Sequence, residues 1–119
     1  MGYYSQVSIL MDKESTDDFI KKLAKEMPEH IPFYTRALEE GFKTFCIDET
    51  KPYRIFHFDW IKWYDDMFPE IQFMMNFLRK IEEPHYYDFV RFGEDDYDME
   101  QENSGGHYFN ITRDVSLND

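Results

Sequence analysis

Tyr86-Tyr87-Asp88-Phe89-Val90-Arg91-Phe92, then Gly93, then Glu94-Asp95-Asp96-Tyr97-Asp98-Met99-Glu100-Gln101-Glu102, then Ser104-Gly105-Gly106 ahead of His107 to Ile111, is the stretch on which the fold turns. Its first seven residues are ring-rich, as a strand prefers, and residues 107–111 regain that character after a glycine turn. Between them runs an acidic arm. Two strands joined in this way describe a surface that offers carboxylates.

Upstream, Tyr3 to Met11 alternates, with Tyr3, Ser5, Val7, Ile9 and Met11 on one side and Tyr4, Gln6, Ser8 and Leu10 on the other. That is the period of a strand covered chiefly on one face. Ser15 and Asp18 stand in capping-box spacing before Phe19, Ile20, Leu23, Ala24 and Met27, which recur at helical intervals. A second helix is expected from about Pro32 to Glu40, ending at Gly41 as its C′ residue. Phe42–Ile47 and Tyr53–Phe58 read as two strands of a hairpin. Asp59 would cap a helical turn whose one face carries Trp60, Trp63 and Tyr64. Pro69 opens a helix to about Ile81 that turns Ile71, Met74, Met75, Leu78 and Ile81 inward.

Strand, helix, helix, two strands, helix, two strands predicts a single α+β domain over residues 1–119. Its expected form is two-layered, an antiparallel sheet of about five strands with two to four helices packed on one face. Only the tail from about Arg113 to Asp119 reads as frayed. A chain of this length buries roughly two thirds of its unfolded surface. Aromatic residues make up 19% of it, so rings must fill the core and some must reach the surface, as at protein-binding faces.

Of the formal net charge of −12, residues 82–102 carry −8, with nine acids against Arg91 alone. Such a field repels nucleic acid and anionic membranes and attracts cations and basic proteins. Direct nucleic-acid or membrane binding is therefore not expected. Cys46 is the sole cysteine, which removes an internal disulfide and a cysteine zinc cluster and fits a reducing cytoplasm. It falls in a segment read as an apolar strand, the setting of a buried, inert thiol. The N-terminal apolar run is too short for a signal peptide or a membrane span.

Chemistry finds little footing in the motifs. Asp96, Asp98 and Glu100 match positions one, three and five of a calcium loop, but Gln101 stands where glycine is needed and His107 where a bidentate glutamate is needed. His30, His57, His85 and His107 have no ligand spacing, and His57 in an alternating strand reads as structural. There is no nucleophile elbow and no P-loop. No catalytic residue, metal site or cofactor is expected.

The opening Gly2-Tyr3-Tyr4-Ser5, the segment Phe58-Asp59-Trp60-Ile61-Lys62-Trp63-Tyr64 and the segment Phe89-Val90-Arg91-Phe92-Gly93-Glu94-Asp95 resemble small proteins of bacteriophages and prophages. The resemblance implies an accessory phage protein, of a class similar in size and acidity to anti-CRISPR and anti-restriction inhibitors. It carries over no catalytic residues.

The expected function is a non-enzymatic inhibitor, located in the cytoplasm of the host cell if phage-encoded, that occupies a basic nucleic-acid-binding surface of a host protein. The expected partner-binding residues are Glu94, Asp95, Asp96, Tyr97, Asp98, Glu100 and Glu102, flanked by Trp60 and Trp63. Same-face carboxylates on a strand recur about every 6.6 Å, whereas phosphates follow roughly every 3.4 Å along a DNA strand. One row is too sparse to copy a duplex, so neighbouring acids must join it. Two alternatives stay open: a small metal-dependent enzyme using the acids of residues 94–102, and a self-associating adaptor, with a homodimer as its simplest form.

Overall fold

A computed structural model describes residues 2–106, 108–111 and 115–117, with the backbone alone at 110, 111, 115 and 116. The elements are β1 (Ser5–Asp12), α1 (Lys13–Glu26), a short 3-10 turn (Pro28–His30), α2 (Ile31–Thr44), β2 (Tyr53–Ile61), α3 (Pro69–Arg79), β3 (Tyr87–Phe92), β4 (Met99–Asn103), β5 (Phe109–Ile111) and β6 (Val115–Leu117). Among the described residues β1 to β4 form one antiparallel sheet in the order β2-β1-β3-β4, and β5 pairs with β6. The domain is α+β, as the element order predicts.

β1 is a central strand and is covered on both sides, because its two faces supply two separate apolar clusters. Val7, Ile9 and Met11 meet Phe19 and Leu23 of α1, Tyr34 and Ala37 of α2, and Ile71, Met74, Met75 and Leu78 of α3. On the opposite face Leu10 joins Ile55, Val90, Ile47 and Phe109. The one-sided strand expected from alternation is therefore corrected: the far face is closed by the end of α2 and by the β5 segment.

Residues 42–47 do not form a strand. α2 continues through Gly41 to Thr44, and β2 pairs with β1 instead of with a hairpin partner. Gly41 is buried where the helix rests on β2, and a Cβ there would collide with the Ile55 carbonyl. Glycine serves this close approach and does not terminate the helix. Phe42, Phe45 and Ile47 then fold over the second face. Cys46, in the turn that follows, has a φ of 52° and is exposed, so the expectation of a buried thiol is also corrected.

α1 starts earlier than the capping-box spacing suggests. Asp12, the last residue of β1, is its N-cap and accepts from the Ser15 amide at 3.3 Å. The segment 59–61 is the end of β2, with no helical turn capped by Asp59. The tryptophans part where β2 ends: Trp60, inside the strand, is 65% exposed, while Trp63, beyond its end, packs between Phe58 and Phe89 at ring distances of 5.5 and 6.0 Å. α3 begins at Pro69 as expected, and the Tyr34 hydroxyl donates to the Glu70 carbonyl at 2.7 Å, tying α2 to its first turn. Residue 107, the expected start of the last strand, lies outside the described residues, and the tail read as frayed contributes β6.

At an ordinary helix position glycine to alanine stabilises by up to about 1 kcal/mol. Gly41→Ala is expected to reverse that sign and destabilise by about 1–3 kcal/mol, as overpacking against backbone does. Urea denaturation checks it; a stabilised variant would contradict the close contact of α2 with β2.

Candidate binding face

β3 and β4 alternate, and that alternation sorts the acidic arm. Glu100 and Glu102 lie opposite Arg91 and Phe89, on the face that bears the helices, whereas Gln101 lies opposite Val90 and donates to Asp88 from the other face. Asp88 is fully buried and accepts the Tyr108 and Phe109 amides at 2.8 and 3.2 Å, so this acid serves to anchor the β5 segment. The carboxylates of the helix face meet two arginines. Arg91 bonds Asp98 at 2.6 Å, Glu100 at 2.7 Å and the Ser5 hydroxyl at 2.9 Å. Arg79, from the last turn of α3, forks onto Glu102 at 2.9 and 3.2 Å.

The loop between the strands is drawn tight by bonds from Gly93 to the Asp98 carbonyl and from Asp98 to the Asp95 carbonyl. Gly93 is required by crowding: a Cβ there would strike the Asp98 carboxylate and the Tyr3 hydroxyl. Tyr3 is the clasp. Its hydroxyl donates to Asp98 and accepts the Asp95 amide, while its own amide donates to the Tyr64 hydroxyl at 2.7 Å. Next along, the Tyr4 amide donates to Glu94 at 2.7 Å. The segment leading into β1 thus pins two loops at once, residues 62–68 and residues 93–98.

Electrostatics follow this geometry. Arg91, and after it Tyr3, hold the Asp98 carboxyl below the usual carboxylate range. Burial works against the charge on Arg91, but its bonds to Asp98 and Glu100 outweigh that and raise its pKa.

Of the residues expected to bind a partner, Asp98, Glu100 and Glu102 spend part of their charge on arginine. Glu94, Asp95, Asp96 and Tyr97 stand at the exposed loop tip, with Tyr97 98% accessible. Trp60 is exposed beside Tyr4 and Glu94, whereas Trp63 belongs to the core. The structure adds Asp65 and Asp66, which are exposed and share a cleft with Tyr3, Arg91, Asp98 and Glu100. Two adjacent aspartates just before Pro69 were the available signal; that they face the 93–98 loop required the fold.

A serine–histidine–aspartate chain also emerges. Ser8 Oγ lies 2.8 Å from His57 Nδ1, and His57 Nε2 lies 2.8 Å from Asp59. An ionised Asp59 only accepts, so Nε2 donates to it, and in a neutral imidazole Nδ1 then accepts a hydrogen bond from the serine hydroxyl. Ser8 is completely buried in the centre of the sheet. A nucleophile must be reached by its substrate, and this hydroxyl is closed off, so the chain of bonds cross-links β1 and β2. Asp59 was expected as a helix cap and joins His57 on one side of β2 only because the strand runs on to Ile61, and Ser8 enters only through the β1–β2 register. Among the described residues no group of three or more histidine, cysteine, aspartate or glutamate side chains comes together to hold a metal. Neither family models, nor curated proteins, nor solved structures contain a match to this chain.

Arg91→Met strips Asp98 and Glu100 of their partner. Because both acids are partly solvated, the expected loss is about 1–3 kcal/mol at neutral pH. The depressed Asp98 contributes stability above about pH 3.9, and this is lost as pH falls through its lower folded value. The gap between wild type and variant in urea melts should therefore narrow in acid; a gap independent of pH would contradict the pairing.

His85 supplies an opposite dependence. Its Nδ1 lies 2.7 Å from Asp12, whose hydrogen bond raises the histidine pKa. Asp12 is pushed up by burial but brought below its ordinary value by bonds from Ser15, His85 and the Tyr86 amide. The pair contributes fully between about pH 4 and 6.5. It weakens as pH rises through the elevated histidine value and as pH falls through the depressed aspartate value. Stability of wild type relative to His85→Asn should decline from about pH 6.5 upward; a constant difference would refute the link.

Proposed function

We propose that this chain is a non-enzymatic acidic binding protein, of the phage inhibitor kind directed at CRISPR or restriction effectors. It docks a carboxylate face onto a basic nucleic-acid-binding surface of a host protein, in the host cytoplasm. The observation that carries this reading is the way Tyr3 and Arg91 hold two acidic loops side by side. Glu94 and Asp95 from one loop and Asp65 and Asp66 from the other are thereby displayed beside the exposed rings of Trp60, Tyr4 and Tyr97.

A face held in advance loses little side-chain entropy on binding. An overall charge of −12 steers basic partners toward it and repels free nucleic acid. Among the described residues no helix is long and apolar enough to cross a membrane. The metal-enzyme alternative lacks a convergent ligand set among those residues, and the buried Ser8 gives hydrolysis no accessible nucleophile.

The test reverses charge where it is not needed for folding: Asp65→Lys, Asp66→Lys and Asp95→Lys together, sparing Asp98 and Glu100. Captured from nuclease-treated host lysate at low salt, the partners of the wild type are expected to be basic nucleic-acid-binding proteins that duplex DNA displaces. The triple variant is expected to capture none of them while melting as the wild type does. Capture that survives the triple reversal, or that DNA does not compete, would contradict the reading.

A further inference from the structure

Outside the acid–arginine network one surface cleft has a different character. It measures about 320 Å³ and, among the described residues, is lined by Tyr4, Trp60 and Glu94. Two rings and a single carboxylate make its described wall. Trp60 is 65% exposed at the end of β2 and Tyr4 is 40% exposed ahead of β1, an unusual exposure for two large rings side by side. Glu94 belongs to the acidic loop and is oriented by the Tyr4 amide, which donates to its Oε2 at 2.7 Å. That bond leaves Oε1 with its accepting capacity free.

We propose that this cleft takes one arginine side chain of the basic partner, its guanidinium stacked on Trp60 and its N–H edge paired with Glu94. The inference rests on the binding reading above and names the contact that anchors it. An apolar occupant would desolvate the carboxylate without pairing it, which is costly. An anion, or a second copy of a chain at −12, meets repulsion.

A cation satisfies both the rings and the acid. Ring faces attract positive charge, with indole the strongest. Arginine fits better than lysine because a planar guanidinium stacks and still offers donors at its edge, whereas an ammonium holds its water tightly. The chain already shows a cation over one of these rings: Lys62 Nζ lies 5.7 Å from the Tyr4 centroid. This leaves the incoming guanidinium to Trp60 and Glu94.

The experiment titrates the full chain with two blocked peptides of the same length, glycine alternating with arginine or with lysine, using calorimetry at low and high salt. Wild type is expected to prefer the arginine peptide by about fivefold or more. Trp60→Ala and Glu94→Gln should each weaken arginine binding by about tenfold and erase the preference. The effect of Trp60→Ala should persist at high salt, where long-range attraction is screened. Both side chains are exposed, and circular dichroism melts establish that the variants fold.

Equal affinity of wild type and Trp60→Ala for the arginine peptide overturns the arginine contact. If the Asp65, Asp66 and Asp95 reversal still abolishes binding in that case, the acidic-face reading stands without it. A wild type that binds neither peptide at low salt overturns both. A concentration-dependent dimer in sedimentation that Trp60→Ala dissolves would give the cleft to a second copy and overturn the proposal.

Discussion

β1 carries the architecture because it is hydrogen-bonded along both edges and buried on both faces. Its residues Val7, Ile9 and Met11 fix the three helices on one side, and Leu10 fixes the β5 segment on the other. A strand held on four sides cannot slip register without disrupting both clusters, since a single-residue shift exchanges the two faces. The residues just before it inherit that rigidity. Tyr3 and Tyr4 extend from a fixed base, so the hydroxyl and amides they aim at Asp98, Asp95, Tyr64 and Glu94 hold two surface loops in fixed relation.

Arg91 completes the arrangement from the neighbouring strand. It reaches Ser5 on β1 while binding Asp98 and Glu100, so one guanidinium joins the central strand to the acidic loop. Part of the negative charge is thus structural. The carboxylates closest to the sheet brace the loop, whereas Asp65, Asp66 and Asp95 stand exposed farther out, which reconciles local neutralisation with a strongly acidic surface. The outer acids come from two loops far apart in sequence, so the face extends beyond the single row that strand spacing alone would make.

The fold class was legible because the strongest signals were local: alternation in residues 3–11, helical spacing at 19–27 and at 71–78, and Pro69 at a helix start. The errors share one cause. Gly41 looks like a helix end, and the ring-rich residues 42–47 look like a strand, unless it is known that α2 must lie within backbone contact of β2 and then cover the sheet's second face. Trp60 and Trp63 satisfied a helical spacing, yet β2 runs on to Ile61, which leaves Trp60 exposed in the strand and Trp63 in the core beyond its end. At the site, the acidity of residues 94–102 was plain, whereas spacing did not separate the exposed Trp60 from the buried Trp63. The placing of Asp65 and Asp66 beside that loop, the use of Arg79 and Arg91 as counter-charges, and the clasp by Tyr3 depend on contacts between distant residues that no spacing rule encodes.

The central claim is that a face assembled from residues 3–4, 60–66 and 93–98 is held ready for a cationic partner. Amide chemical-shift mapping of the isotope-labelled chain, titrated with an arginine-rich peptide, tests it most directly. The account predicts saturable shifts confined to those three segments and the adjoining ends of β3 and β4, with α1 and the 3-10 turn unmoved. Shifts centred on the helical surface, or a diffuse drift shared by acids everywhere, would contradict it.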